Sequence, residues 1–115
     1  MKAEFEGIVE GYNLRFKANE VEIGKGYGIF LLFIEMPGAK HNGLLIERGD
    51  LKIPKGVIAK YVRDMNIENL EMAAPPPPDS NAVLIVRIGG EEFESILKKI
   101  AKHICDFLKS QQFIK

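Results

Sequence analysis

The segment from Val83 to Lys109, VLIVRIGGEEFESILKKIAKHICDFLK, sets the architecture of this chain. Its first six residues are apolar apart from one arginine, which is typical of a largely buried strand. Gly89-Gly90 end this strand, and from Glu91 onward the apolar residues recur at helical spacing. At about 100° per residue they fall within an arc of about 120°, so they form one core-facing stripe. The stripe consists of Phe93, Ile96, Leu97, Ile100, Ile104, Phe107 and Leu108.

The charges at the two ends agree with a helix near residues 91–110. Glu91, Glu92 and Glu94 lie in the first turn and Lys109 lies near the last, an order that the helix dipole favours by about 0.3–1 kcal/mol per group. A glycine pair before a helix can hold phosphate, but these three carboxylates repel an anion. We therefore interpret the two glycines as a flexible strand-to-helix turn.

Short strands separated by turn signals are predicted upstream. Apolar and polar residues alternate over residues 2–9 and again over residues 12–18, which indicates half-exposed strands. A turn is expected at Ala18-Asn19, followed by a short strand over residues 21–23. The chain therefore begins as a β-rich meander.

The next stretch supplies a central strand, a hairpin and a short helix. Residues 24–28 read GKGYG and predict a tight turn, because a dinucleotide fingerprint needs a further glycine and a following helix. Ile29–Ile34 is apolar on both faces and belongs at the centre of a sheet. Asn42-Gly43 predicts a hairpin, and Pro54 opens a helix near 55–65. The apolar face of that helix is Val57, Ile58, Tyr61, Val62 and Met65.

These elements predict one α+β domain over residues 1–115. Its mostly antiparallel sheet has six to eight strands, with the C-terminal helix packed on one face and the short helix beside it or at the edge. Residues 73–80 contain four consecutive prolines, which fit neither a helix interior nor a central strand. They predict an exposed spacer between the β-rich part and the C-terminal strand and helix.

Composition argues against several functional classes. Sixteen basic and sixteen acidic residues give a net charge of zero, so there is no overall field to draw the protein onto nucleic acid. A single cysteine excludes an internal disulfide, no Cys/His cluster has zinc-ligand spacing, and we expect no cofactor. No apolar run is long enough for a membrane span, and we expect a cytoplasmic protein. The abundance of Glu, Lys and Ile leans toward thermophilic proteins.

Three residues are the candidates for catalysis. Glu35 and Glu47 lie on strands that we expect to pair, and His41 lies in the loop between them. Paired carboxylates can carry acid–base chemistry, and Glu35 follows a buried run that could raise its pKa. The alternative interpretation is structural, with both glutamates marking where strands emerge into water. His103 and Cys105 point to opposite flanks of the helix, so they cannot form a nucleophile–base pair.

A second set of residues could contact nucleic acid or a partner: Lys52, Lys55, Lys60, Arg63, Lys98, Lys102 and Lys109. Glu94 and Asp106 stand four residues from two of these lysines and partly neutralise them. Gly49-Asp50-Leu51-Lys52-Ile53-Pro54-Lys55 resembles the strand-to-helix turn of the swapped-hairpin transition-state regulators and antitoxins. That resemblance implies a dimer that binds DNA, although it covers fewer than twenty residues and lacks the arginine usual in that helix.

Our main functional expectation rests on two strands whose side chains are apolar on both sides of the sheet. The central strand and the strand that begins at Val83 are apolar on both sides, and one long helix covers only one side. The other side should meet a second copy of the chain. We therefore expect a non-enzymatic interaction module that self-associates, most simply as a homodimer, or that docks on an unidentified protein partner in a larger assembly. The alternatives are nucleic-acid binding and a small-metabolite enzyme that uses His41, Glu35 and Glu47.

Overall fold

The structure is a computed structural model that describes residues 4–8, 14–74, 76 and 80–114. Eight strands and two helices follow one another along these residues. The strands are β1 Glu4–Ile8, β2 Arg15–Gly24, β3 Tyr27–Glu35, β4 Lys40–Asn42, β5 Leu45–Arg48, β6 Leu51–Pro54, β7 Leu70–Ala74 and β8 Ala82–Gly89. The helices are α1 Lys55–Asp64, between β6 and β7, and α2 Phe93–Ser110, after β8.

The predicted α+β class is confirmed, with the strands divided between two antiparallel sheets. The large sheet has the order β1-β2-β3-β8-β7, so the apolar strand β3 occupies its centre as expected. The small sheet has the order β4-β5-β6 and includes the hairpin predicted at Asn42-Gly43, where Gly43 has a φ of 58°. Glycine adopts this left-handed conformation without a steric penalty.

Strand β2 runs through the turn that the sequence predicts at Ala18-Asn19. Asn19 pairs with Leu31 of β3, and the register shifts between Glu20 and Glu22, so that Val21 is the extra residue of a β-bulge. A bulge interrupts the alternation of side chains without ending the strand. The predicted turn is therefore wrong because the break in pattern comes from this bulge.

Both helices pack on the same face of the large sheet. The predicted stripe of α2 points inward, with Ile100, Ile104 and Leu108 fully buried. It joins one core with Phe30 and Leu32 of β3, together with the inward side chains of β2 and β8 and of α1. A fully buried Ile or Leu side chain contributes about 1.5–3 kcal/mol, so this face holds most of the stabilising contacts.

Helix α1 turns a narrower apolar face inward than the sequence predicts. Ile58 and Val62 are buried, whereas Val57 and Met65 are 45% and 39% exposed. Tyr61 is intermediate in exposure and packs against Phe107 of α2, with ring centroids 4.8 Å apart. The inward positions are therefore set by contact with α2 as well as with the sheet.

The predicted proline spacer needs a correction where it is described. Ala73 and Ala74 belong to β7, because Ala74 pairs with Ile85 of β8 and the ladder extends into the spacer. Pro76 is buried and Ser80 is half-buried, so neither matches the predicted exposure. Pro75 and residues 77–79 lie outside the described residues.

Candidate functional site

A cavity lies where the two sheets meet, and we call it the junction cavity. It has a volume of about 440 Å³ and is bordered by the end of β3, the segment that leads into β4, and the residue before β8. Phe33 and Met36 form part of its apolar wall. The polar side chains around it belong to Lys17, Asn19, Glu35, His41 and Asn81. Two of the three predicted catalytic candidates, His41 and Glu35, therefore border one cavity.

His41 projects from the inner side of the small sheet. It pairs across the strands with Ile46, which pairs with the buried Ile53, so the three side chains share one face. The Nε2 atom lies 3.4 Å from the carbonyl oxygen of Ile34, while Nδ1 is buried without a hydrogen-bond partner among the described residues. Burial, and after it the positive charge of Lys55, hold the pKa of His41 below its ordinary value of 6.5. The imidazole is therefore neutral at pH 7.

Lys55 is the least expected feature of this region. It is the first residue of α1, is only 2% exposed, and donates a hydrogen bond from Nζ to the carbonyl oxygen of Ser80 at 2.8 Å. Lysine is almost never fully buried without a charged partner. No carboxylate among the described residues pairs with its ammonium group, and burial lowers the pKa of Lys55.

Glu35 is held as a charged carboxylate. Its oxygens lie 2.9 Å from Nζ of Lys17 and 3.7 Å from Nη1 of Arg15. The hydrogen bond from Lys17 is the main reason that the pKa of Glu35 is lowered, so the raised pKa considered from the sequence is not found. A carboxylate held in this way is a weak general base.

Glu47 is separated from both other candidates. It lies on β5, where it pairs with Lys40 of β4 and lies 3.7 Å from Nζ of Lys52. Its neighbour Ile46 faces inward, so Glu47 faces the opposite side of the small sheet. The strands of Glu35 and Glu47 belong to different sheets, and the predicted pairing between them is wrong. The three candidates therefore do not form one acid–base group.

The basic residues that were predicted to contact nucleic acid or a partner lie in different environments. Lys98 lies 3.2 Å from Glu94 and Lys102 lies 3.3 Å from Asp106. Lys109 also has an interaction partner. Lys60 and Arg63 are exposed on α1, whereas Lys55 is buried and directed toward the large sheet. Lys55 is therefore not part of a solvent-facing basic surface.

The second face of the large sheet, which we call the open face, carries an apolar strip. Ile29, Leu31 and Phe33 of β3 and Ile85 of β8 are half-buried, and none of them packs against the core. Their cross-strand partners on this face include Lys17, Asn19, Glu22 and Arg87. The described helices lie on the other side, so neither covers this strip.

Three polar side chains in contact with one another border one end of the open face. The guanidinium carbon of Arg87 lies 4.5 Å from the ring centroid of Tyr27, and the Tyr27 hydroxyl donates a hydrogen bond to Glu22 at 2.8 Å. That hydrogen bond is the main reason that the pKa of Tyr27 is raised. The Tyr27 ring occupies the space that a side chain at Gly24 would need. These contacts give the apolar strip a polar border.

The sequence pointed to some of these features and missed others. Lys55, Ile58 and Val62 have the i, i+3, i+7 spacing of one buried helix face, so this spacing could have predicted that Lys55 is buried. The prediction was missed because lysine is a polar residue. No sequence pattern could have predicted the contact between Arg87 and Tyr27, because this contact depends on the register between β3 and β8.

The described residues contain neither a membrane-spanning helix nor a metal-binding cluster. No helix there is both long enough and apolar enough to cross a membrane. No group of three or more His, Cys, Asp or Glu side chains is arranged there to hold a metal ion. No protein-family model, curated protein or solved structure matches this chain.

Proposed function

We propose that this protein is a self-associating interaction module and that the open face of the large sheet is its contact surface. The observation that carries the proposal is the strip formed by Ile29, Leu31, Phe33 and Ile85, which remains outside the core. Contiguous apolar surface on a folded domain is typical of an interaction site. A second copy can cover it through sheet-on-sheet packing, with the two strand directions about 30° apart.

The size of the open face suits a dimer. The five strands comprise 37 residues, and at about 3.4 Å per residue and about 4.8 Å between strands they give roughly 600 Å². Each partner in a standard-sized interface buries about 800 Å². A two-fold axis needs only this one patch, because the same surface serves both copies.

The charges around the strip favour a second copy over a strongly charged partner. Glu35 is paired with Lys17, and Arg87 and Glu22 are both engaged by Tyr27, so both signs border the apolar centre. The chain as a whole has zero net charge, so two copies have no long-range repulsion. An apolar centre with a polar rim is the usual composition of protein interfaces.

The alternatives receive less support. Nucleic-acid binding needs free cations, but Lys98 and Lys102 are paired with acidic neighbours on α2. An enzyme needs a base with access to substrate, but Glu35 is held by Lys17. Self-association is therefore the function that we put forward.

Sedimentation equilibrium at micromolar concentration tests this proposal. We expect a dimer for the unchanged protein and a monomer for Leu31→Glu and for Ile85→Lys, because each places a charge in the apolar strip. Val57→Glu is the matched control, since Val57 is exposed on α1 and away from the open face. Circular dichroism confirms that each variant is folded. A monomeric unchanged protein, or a dimer that only Val57→Glu disrupts, would overturn the proposal.

A further inference from the structure

We propose that His41 and Lys55 form a pH-sensitive clamp between the two sheets, and that protonation of His41 releases the small sheet from the large one. The clamp does not depend on self-association. It rests on where these two basic side chains end and on what surrounds them.

Both side chains reach backbone carbonyl groups at the same end of the large sheet. His41 of β4 approaches the carbonyl oxygen of Ile34 at 3.4 Å, and Lys55 donates to that of Ser80 at 2.8 Å. Ile34 and Ser80 flank the cross-strand pair of Phe33 and Ala82, so the two acceptors belong to one edge region. The small sheet and the start of α1 are thereby tied to β3 and to the approach to β8.

The surroundings of His41 do not accommodate a second positive charge. From α1 it faces the ammonium group of Lys55, which has no carboxylate partner among the described residues. From β2 and β3 the junction cavity brings Lys17 and Glu35, but these two already form an ion pair at 2.9 Å. Asn81, beside β8, contributes a neutral amide. Among the described residues, therefore, no unpaired negative charge faces His41 from the elements around it.

Protonation would also create a buried donor without an acceptor. In the neutral ring the Nε2–H group can donate to Ile34, and Nδ1 carries a lone pair that has no partner within the described part of the chain. In the imidazolium both nitrogen atoms are donors, and the buried Nδ1–H would have no acceptor among the described residues. Hydrogen-bonding geometry and charge thus disfavour the same protonated form in the closed state.

Release of the small sheet removes both penalties, because His41 then becomes hydrated. The direction follows from linkage: a histidine whose pKa is lower in the closed state binds more protons when released. Opening therefore increases as the pH falls below about 6.5. It increases up to tenfold for each pH unit that separates the pKa of His41 in the two states.

Hydrogen exchange measured by NMR on the full chain tests the clamp. Between pH 7.5 and 5.0, after correction for intrinsic exchange, we expect protection of the β5–β6 amides to fall several-fold more than protection of the β3–β8 amides. His41→Gln keeps a side-chain donor but cannot take up a proton, so it should abolish this difference. His103→Gln is the matched control and should preserve it. Equal loss of protection in both sheets, or a difference that survives in His41→Gln, would overturn the proposal.

A titration of the His41 ring keeps the test decisive if His41→Gln does not fold. In the unchanged protein we expect the His41 midpoint below that of a histidine in a short peptide. Lys55→Met removes the neighbouring charge and should raise this midpoint, whereas Lys60→Met, on the exposed side of α1, should not. A midpoint that is not lowered, or that does not respond to Lys55→Met, contradicts the clamp.

Discussion

Removal of one isoleucine from the core-facing stripe of α2 should cost far more stability than removal of a lysine two residues away. Ile104 is fully buried, whereas Lys102 is exposed and forms an ion pair with Asp106 at 3.3 Å. Both residues lie inside the same helix, so Ile104→Ala and Lys102→Ala share the same backbone context. Their comparison isolates the face that packs against the sheet.

The magnitude follows from the atoms removed. Ile→Ala deletes three carbon atoms at about 0.8 kcal/mol each, or about 2.4 kcal/mol of lost transfer free energy. The cavity left beneath α2 brings the expected cost of Ile104→Ala to about 3–4 kcal/mol, within the range of about 2–5 kcal/mol for large buried aliphatic residues. Lys102→Ala loses an exposed pair worth about 0.3–0.5 kcal/mol and gains helix propensity. Its cost should stay below about 0.5 kcal/mol.

Urea denaturation followed by circular dichroism measures both changes. All variants should be compared at one protein concentration, because self-association would make stability concentration-dependent. Ile104→Ala should lower the midpoint without changing the slope of the transition. A domain of this size has about 6–17 kcal/mol of stability, so the variant should still fold. Equal losses for the two variants would mean that the wrong face of α2 has been placed inward.

Three further predictions concern other parts of the chain. His41 contributes stability that is complete above about pH 6.5 and is lost as the pH falls below it, because its pKa is lowered in the folded state; urea midpoints at pH 7.5 and 5.0 should therefore differ less in His41→Gln than in the unchanged protein. Cys105 is fully buried, and burial raises its pKa to about 12, so a thiol reagent at pH 8 should label the native protein more than about a hundredfold more slowly than the urea-unfolded chain. Gly56→Ala should stabilise α1 by about 0.5–1 kcal/mol, because open space surrounds that helical position. Gly26→Ala should instead destabilise the β2–β3 turn by about 1 kcal/mol, because Gly26 has a φ of 79°; thermal melts that rank these two variants in the reverse order would contradict this reasoning.

The elements that the sequence predicted well are those determined by local pattern. The α2 stripe, the central position of β3 and the hairpin at Gly43 each follow from periodicity or from turn chemistry that a few neighbouring residues determine. The bulge at Val21 was misinterpreted because a break in alternation looks the same whether the strand ends or continues. The division into two sheets depends on which strands meet in space, and no local pattern carries that information.

The candidate site shows the same limit more clearly. The sequence identified His41 and Glu35 as candidate site residues, and both border the junction cavity. The directions of their pKa shifts were not predictable, because they depend on the tertiary fold: the pKa of Glu35 responds mainly to Lys17 on β2, and the pKa of His41 responds first to burial and then to Lys55 on α1. Side-chain type indicates which groups can titrate, but the tertiary fold decides in which direction their pKa values move.

The position of β8 has a consequence for the order in which this protein can fold during synthesis. β8 is the last of the described strands along the chain, yet it lies between β3 and β7 and supplies a partner for both. Until Ala82–Gly89 leaves the ribosome, the described part of the chain offers β7 no neighbour, and Phe30 and Leu32 have no α2 above them. The nascent chain therefore leaves one edge of its central strand unpaired until β8 is made, and the final sheet forms through long-range contacts that are slow to close. Chaperone binding should accordingly concentrate on Ile29–Ile34, because one edge of this strand pairs with β2 while its other edge stays unpaired until β8 is made.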